Sequence, residues 1–348
     1  MSPSSGDSGP AEAPGQYGVI FSGDRGPEWL GHMRRADQAG FWGLGVGDSQ
    51  SIYPDVYVRL ALAAGVVSRA HLGTWVTNPL TRHPAVTASA IASIDELTGG
   101  RTFLGIGTGD SAVKNIGQPP ATLDFLEDYI RAVNQLQTTG TTIWQGSTCR
   151  LAVPARRVPV WLAVSGPRAT RLAGRIADGV VFGGGLTEDI IEAGMEELRR
   201  GADEAGRDVA EIKTWWLAVA NLADDDDVAL NELKGSLATF GHMATKSAAQ
   251  RRHLDPGIQP AMERLHTDYD AMQHAAYGAS DNARLPDELG LTDYLRRRFA
   301  ICGSPSTFSS SIDRAHAAGA RNLWFAVRVP DKDRFLRLWE TQVAPTLR

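Results

Sequence analysis

Apolar runs and amphipathic stretches alternate along this chain. Strand-like runs begin at Tyr17 (YGVIFS), Phe41 (FWGLGVG), His71 (HLGTWVTN) and Arg101 (RTFLGIGTG). Helical patterns fill the gaps at 27–39, 55–67 and 85–97. In the last of these Val86, Ala90, Ile91, Ile94 and Leu97 form one apolar stripe, the pattern of a helix laid on a sheet. The stretch 122–137 does the same with Leu123, Leu126, Ile130, Val133 and Leu136. The beat continues with strands at 158–164, 179–183, 211–220 and 321–327. Helices are expected at 167–177, 187–205 and 305–318, with a closing helix from 331.

Eight strands separated by helices, and apolar on both faces, predict a parallel sheet buried on both sides. Eight such units in one chain fit a (β/α)8 TIM barrel best, with a doubly wound open sheet as the alternative. Two segments exceed the needs of a barrel: 138–157, read as a hairpin or loop, and 241–298, read as a mostly helical insertion before the last strand. Residues 1–16 (MSPSSGDSGPAEAPGQ) are small, polar and rich in Pro and Gly, which predicts a disordered tail ahead of a single domain over 17–348. The acidic run Asp224–Asp227 belongs at a helix N-terminus, where the backbone dipole favours negative charge.

Composition narrows the function. With 43% hydrophobic and 22% charged residues and a net charge of -5, the chain reads as an ordinary globular protein. Its short basic runs make no stripe for nucleic acid. Two cysteines without CxxC spacing, and histidines without an HxH or HExxH pair, give no metal site. No run reaches the length of a membrane helix and no leader pattern opens the chain, so the expected setting is the cytoplasm and the expected partner a small-molecule substrate.

Barrel chemistry sits at the C-terminal ends of the strands. There the sequence places Gly47-Asp48-Ser49-Gln50, Trp75-Val76-Thr77-Asn78, Gly107-Thr108-Gly109-Asp110-Ser111, Ser165-Gly166-Pro167-Arg168 and Gly183-Gly184-Gly185. Two of these ends suit an anion. Ser165 and Gly166 precede Pro167, a natural first-turn residue, so free N–H groups would face a phosphate along the helix dipole. The glycine run lets a second stretch of backbone approach closely. His242, His253, His266, Tyr269 and His274 of the insertion read as solvated residues rather than ligands.

In combination, LGTWVTNPLTRHPAVTASAIASIDELTGGRTFLGIGTGDSAVKNIG (72–117), VPVWLAVSGPRATRLAGRIADGVVFGGG (158–185) and CGSPSTFSSSIDRAHAAGARNLWF (302–325) resemble the bacterial-luciferase-like superfamily. The likeness is nearest to its coenzyme F420-dependent branch, which includes methylenetetrahydromethanopterin reductase. The resemblance implies an oxidoreductase moving a hydride between the deazaflavin C5 and a C=O, C=N or C=C carbon of a small organic substrate. FMN with oxygen and a partner flavin reductase, or flavin binding without catalysis, stay open. It also implies a non-proline cis peptide at Trp75-Val76 backing the ring, and Asp48 near the ring's polar edge. Thr77, Thr108 and Gly109 would line the ring, and Ser165, Gly166, Pro167, Gly183 and Gly184 would cradle phosphate. Asp110, or Asp48, would handle the proton if the apolar rim raised its pKa. Ser49 stands where some relatives carry a catalytic histidine. Leu186 follows the glycines with no basic grip for a sugar phosphate, which argues against glucose-6-phosphate oxidation. Relatives are commonly dimers, so a homodimer is expected.

Overall fold

A computed structural model describes residues 15–21, 26–152, 156–246, 251, 254–270, 273 and 280–347. Nearly all of the expected tail, with His253 and His274, lies outside the described residues. Eleven strands appear among them. They are β1 (Tyr17–Phe21), β2 (Gly43–Val46), β3 (His71–Thr74), β4 (Thr102–Ile106), β5 (Thr141–Trp144), β6 (Ser147–Arg150), β7 (Val160–Val164), β8 (Gly179–Phe182), β9 (Lys213–Leu222), β10 (Ala300–Gly303) and β11 (Leu323–Val327).

Eight of them close a parallel barrel in the order β1, β2, β3, β4, β7, β8, β9, β11, with β11 returning to β1 through Tyr17↔Leu323 to Phe21↔Val327. The open-sheet alternative is thereby excluded. The segment 138–157 contains the antiparallel hairpin β5–β6 on the barrel's flank. The helical region begins earlier than expected, with Asp226–Thr245, and continues through Gln259–Asp268, Asp281–Glu288 and Thr292–Phe299. Asp225 caps the first of these, accepting from the Asp227 and Val228 backbone N–H groups, so the acidic run does sit at a helix start.

One strand escaped the sequence reading. β10 pairs with Val219–Leu222, the upper half of β9, whose lower half Lys213–Trp216 pairs with β8. Ten-residue β9 therefore serves β8 at one end and β10 at the other, with β11 pairing across its middle at Trp216–Val219. Four apolar residues directly after the Thr292–Phe299 helix carry no periodicity of their own.

The lower barrel is filled by aromatic rings, and strand glycines make the room. Trp75 stacks on Trp324 at 3.9 Å, Phe103 on Trp161 at 4.4 Å, and Trp42 on His71 at 4.1 Å. An added Cβ would lie 2.4 Å from the Trp324 ring at Gly18 and 2.3 Å from the Phe103 ring at Gly73. These glycines are the complement of the rings beside them, so large and small residues interlock across the barrel.

The outer helices start and stop on recognisable signals. His83 caps Pro84–Thr98 by accepting from the Ala85 N–H, with Pro84 in the first turn and Gly99 left-handed at φ 66° at the end. Asp37, at the end of the helix Pro27–Gln38, accepts backbone N–H bonds from Ser68, Arg69 and Ala70, which ties that helix to the entry of β3. Burial opposes its ionisation, but these bonds outweigh that and hold its carboxyl below the ordinary value.

Candidate active site

Above the aromatic fill, at the C-terminal ends of the strands, opens a cavity of about 370 Å³. That is within the ordinary range for small-molecule and cofactor sites. Asp48, Trp75, Val76, Thr77, Thr108, Gly109, Asp110, Ser165 and Gly183 all line it, so most of the residues singled out from the sequence converge here. A second cavity of about 290 Å³ adjoins it, sharing Val164 and Ser165 and lined also by Gly166, Pro167 and Gly184.

The back wall comes from the end of β3. The Trp75–Val76 peptide is cis, and beyond it Thr77 rejoins the sheet through a bridge to Ile106. The Trp75 ring turns down onto Trp324, leaving Val76 toward the cavity, where an added Cβ at Gly107 would sit 3.5 Å from its Cγ2. Thus the large residue at the end of β3 completes the aromatic fill, and a small branched residue faces the space above.

Asp48 lies buried at the end of β2. It accepts from the Thr77 hydroxyl at 2.6 Å and from Arg82 Nη1 at 2.6 Å, while Arg82 Nη2 reaches Asp55 at 2.8 Å. Arg82 was missed in the sequence, where it is one basic residue in a polar loop; its only signal was two acidic residues after the neighbouring strand. Ser49 is engaged by the Ser111 hydroxyl at 3.0 Å.

Asp110 corrects an expectation. It was to act as an acid through a pKa raised by the rim. Burial does push it upward, but hydrogen bonds and charge from Lys114 and Lys246 (Nζ to Oδ2, 2.9 Å) outweigh burial and hold the carboxyl below its ordinary value. An ionised carboxylate between two ammonium groups has no proton to give. Gly109 before it has φ +93°, and an added Cβ would meet Val113 Cγ1 at 2.9 Å, so only glycine fits.

The anion-binding expectation has a structural basis. The helix Pro167–Ile176 starts at Gly166 without a side-chain cap, leaving first-turn N–H groups for another partner. A Cβ on Gly166 would meet nothing within 4 Å, so open space faces this helix end.

The front wall was not foreseen. Ile20, Phe21, Trp29, Leu217, Phe240 and Met243 make it apolar, with Tyr53, Arg59 and Arg328 as polar members. Phe240 and Met243 come from the helix Asp226–Thr245, and Arg59 lies 4.5 Å over the Trp29 ring. These residues lie outside the strand-end motifs, and only the fold brings them together. Behind Met243, His242 stacks between His266 at 4.4 Å and Tyr269 at 4.3 Å. The reading as solvated is thereby corrected for His242 and Tyr269, which pack into the insertion, while His266 is exposed as expected.

The chain as a whole has relatives among known proteins. The family profile described as Luciferase-like monooxygenase matches residues 8–322. The chain is 27% identical to the 5,10-methylenetetrahydromethanopterin reductase of Methanopyrus kandleri, covering 94% of this chain and 97% of that protein. It is 29% identical to the F420-dependent glucose-6-phosphate dehydrogenase of Nakamurella multipartita, over 80% and 78% of the two chains. The solved structure of the coenzyme F420-dependent tetrahydromethanopterin reductase from M. kandleri superposes with a TM-score of 0.76 at 23% identity. It covers 97% of this chain and 100% of that one, a likeness of fold.

Proposed function

The chain belongs to the luciferase-like monooxygenase family, and on that premise we propose that it is a coenzyme F420-dependent oxidoreductase acting on a C=O, C=N or C=C group of a small organic substrate. The observation that carries the reading is the pairing of two neighbouring cavities that share Val164 and Ser165. One is backed by Val76 and Thr77 at the end of β3, and the other opens on the uncapped helix start at Gly166. A flat ring and an anionic tail need such a pair of spaces, and relatives named for F420 align over most of the chain.

The residues fit the cofactor. Trp75, Val76, Thr77, Thr108 and Gly109 would hold the ring, with Asp48 at its polar edge. Ser165, Gly166, Pro167, Gly183 and Gly184 would hold the phosphate. When bound, the deazaflavin supplies or accepts a hydride at C5. Asp48 fixes Thr77 and Arg82, which sets the shape of the back wall. Asp110 holds Lys246, and with it the end of the Asp226–Thr245 helix, against the β4 loop. The apolar side chains Ile20, Phe21, Trp29, Leu217, Phe240 and Met243 of the lining favour a substrate with an apolar body. Leu186, which follows the glycine run, is buried and offers no basic group there, which speaks against glucose 6-phosphate as the substrate.

The test is an absorbance titration of the purified protein with F420 and with FMN, followed by turnover assays under air and under nitrogen. Tight F420 binding with oxygen-independent turnover is expected. Preference for FMN with oxygen consumption would replace this reading with monooxygenation fed by a partner reductase.

A further inference from the structure

With both carboxylates committed to partners, the proton required by carbonyl reduction has to come from another group. Resting on the oxidoreductase reading of the site, we propose that Tyr53 is the catalytic residue that donates it, to the oxygen of a carbonyl substrate. Most hydroxyl and carboxyl groups of the cavity are engaged by protein partners. Asp48 accepts from Thr77 and Arg82; Asp110 accepts from Lys114 and Lys246; Ser49 and Ser111 bond to each other. Among the described residues, the cavity hydroxyls without a protein partner are those of Tyr53, Thr108 and Ser165. Ser165 lies on the side of the anion cradle. Of the other two, an aliphatic alcohol is a far weaker acid than a phenol, whose ordinary pKa is about 10. Tyr53, as the phenol of the pair, is the better proton donor to a carbonyl oxygen.

Its placement is built in. The Ile52 and Tyr53 backbone N–H groups both donate to the Ser49 carbonyl at 2.8 Å, closing a tight turn directly after Asp48. The ring leans on Gly47, where an added Cβ would lie 3.1 Å from Cδ2 and Cε2. The phenol is thus set on the end of β2, on a cavity whose front is apolar.

The step balances. A hydride from the reduced deazaflavin forms the new C–H bond at the carbonyl carbon, and the C=O π pair moves onto oxygen. That oxygen takes the proton of Tyr53, so the O–H bond of the phenol breaks and the alcohol forms. The carbonyl is reduced by two electrons and the cofactor oxidised by two. The phenolate then recovers its proton from water, because Tyr53 is only partly buried. An imine makes no such demand, since it enters already protonated from solvent. The proposal therefore separates ketones from imines.

The experiment compares wild type with Tyr53→Phe, using acetophenone and 3,4-dihydroisoquinoline as probes. Acetophenone bound to the cofactor-free wild type is expected to show its carbonyl stretch at lower wavenumber than when bound to the variant, because a phenol donates to its oxygen. The variant should bind F420 within about twofold of wild type and reduce acetophenone about a hundredfold more slowly, the ordinary size of a lost general acid. Its rate with 3,4-dihydroisoquinoline should stay within about fivefold of wild type. An unshifted carbonyl stretch, or equal acetophenone turnover with F420 bound, overturns the assignment and leaves the cofactor reading standing. An equal fall for both probes together with weaker F420 binding also overturns it, since that marks a structural role. Failure of the wild type to bind F420 overturns the reading of the site and this assignment with it.

Discussion

Gly166 is a residue that folding does not constrain and that faces open space at an uncapped helix start. Its φ of -142° and ψ of 158° suit any residue, and a Cβ there would meet nothing in the protein. Gly166→Ala is therefore expected to leave the melting temperature unchanged while weakening F420 about tenfold, a loss of about 1.4 kcal/mol. A thermal melt beside a cofactor titration reads both, and unchanged affinity would remove Gly166 from the cradle. Legibility at this scale followed side-chain chemistry. Gly166 and Pro167 announced an open helix start, because their conformational preferences are local. Trp75 was legible as an anomaly, a large residue at a strand end, and its peptide is cis as the resemblance implied. Where its ring points was not legible, because that depends on Trp324 at the far end of the chain. Tyr53 and Trp29 gave no signal in one dimension for the same reason, and Arg82 gave only the two acidic residues after the neighbouring strand.

The elements of the barrel were readable because each is set by a local period and its caps. β10 was not, being four residues whose only instruction to form a strand is the free upper edge of β9. The helix Asp226–Thr245 hides a titration that the sequence did not suggest. Burial, the Lys246 charge and the neighbouring His266 lower the His242 pKa from 6.5 to about 4, while Asp110 opposes them. Its native state thus binds fewer protons than the unfolded chain between those values. Stability from the neutral ring is complete above pH 6.5, is lost as pH falls from there toward about 4, and changes no further below. His242→Phe keeps a ring between His266 and Tyr269 but cannot titrate. Its melting temperature should fall less than that of wild type, by a few degrees, on acidification through this window. Parallel curves would show that His242 is not the group responsible.

For the whole molecule, the fold was legible as eight repeats of one unit, and the structure closes them into a barrel. Quaternary structure was expected only through resemblance. Among the described residues Val58 and Leu62 project from the helix Val56–Ala64, and Val86 and Leu97 from Pro84–Thr98; these helices pack side by side, and all four side chains are exposed. The homodimer expected from resemblance is checked by light scattering, which should give about twice the 37.4 kDa of one chain. A mass of 37.4 kDa for the wild type would refute it. The aromatic fill of the lower barrel has an optical consequence. Trp42, Trp75, Trp161, Trp215 and Trp324 are joined through ring contacts between 3.9 and 5.5 Å, except that Trp161 and Trp324 meet at 6.1 Å. At such separations excitation absorbed by one indole passes to the others before it is emitted, and Trp75 alone of the five borders the cavity. The barrel is thus an antenna with one terminal at the cavity, where a single near-ultraviolet absorber would dim five emitters at once.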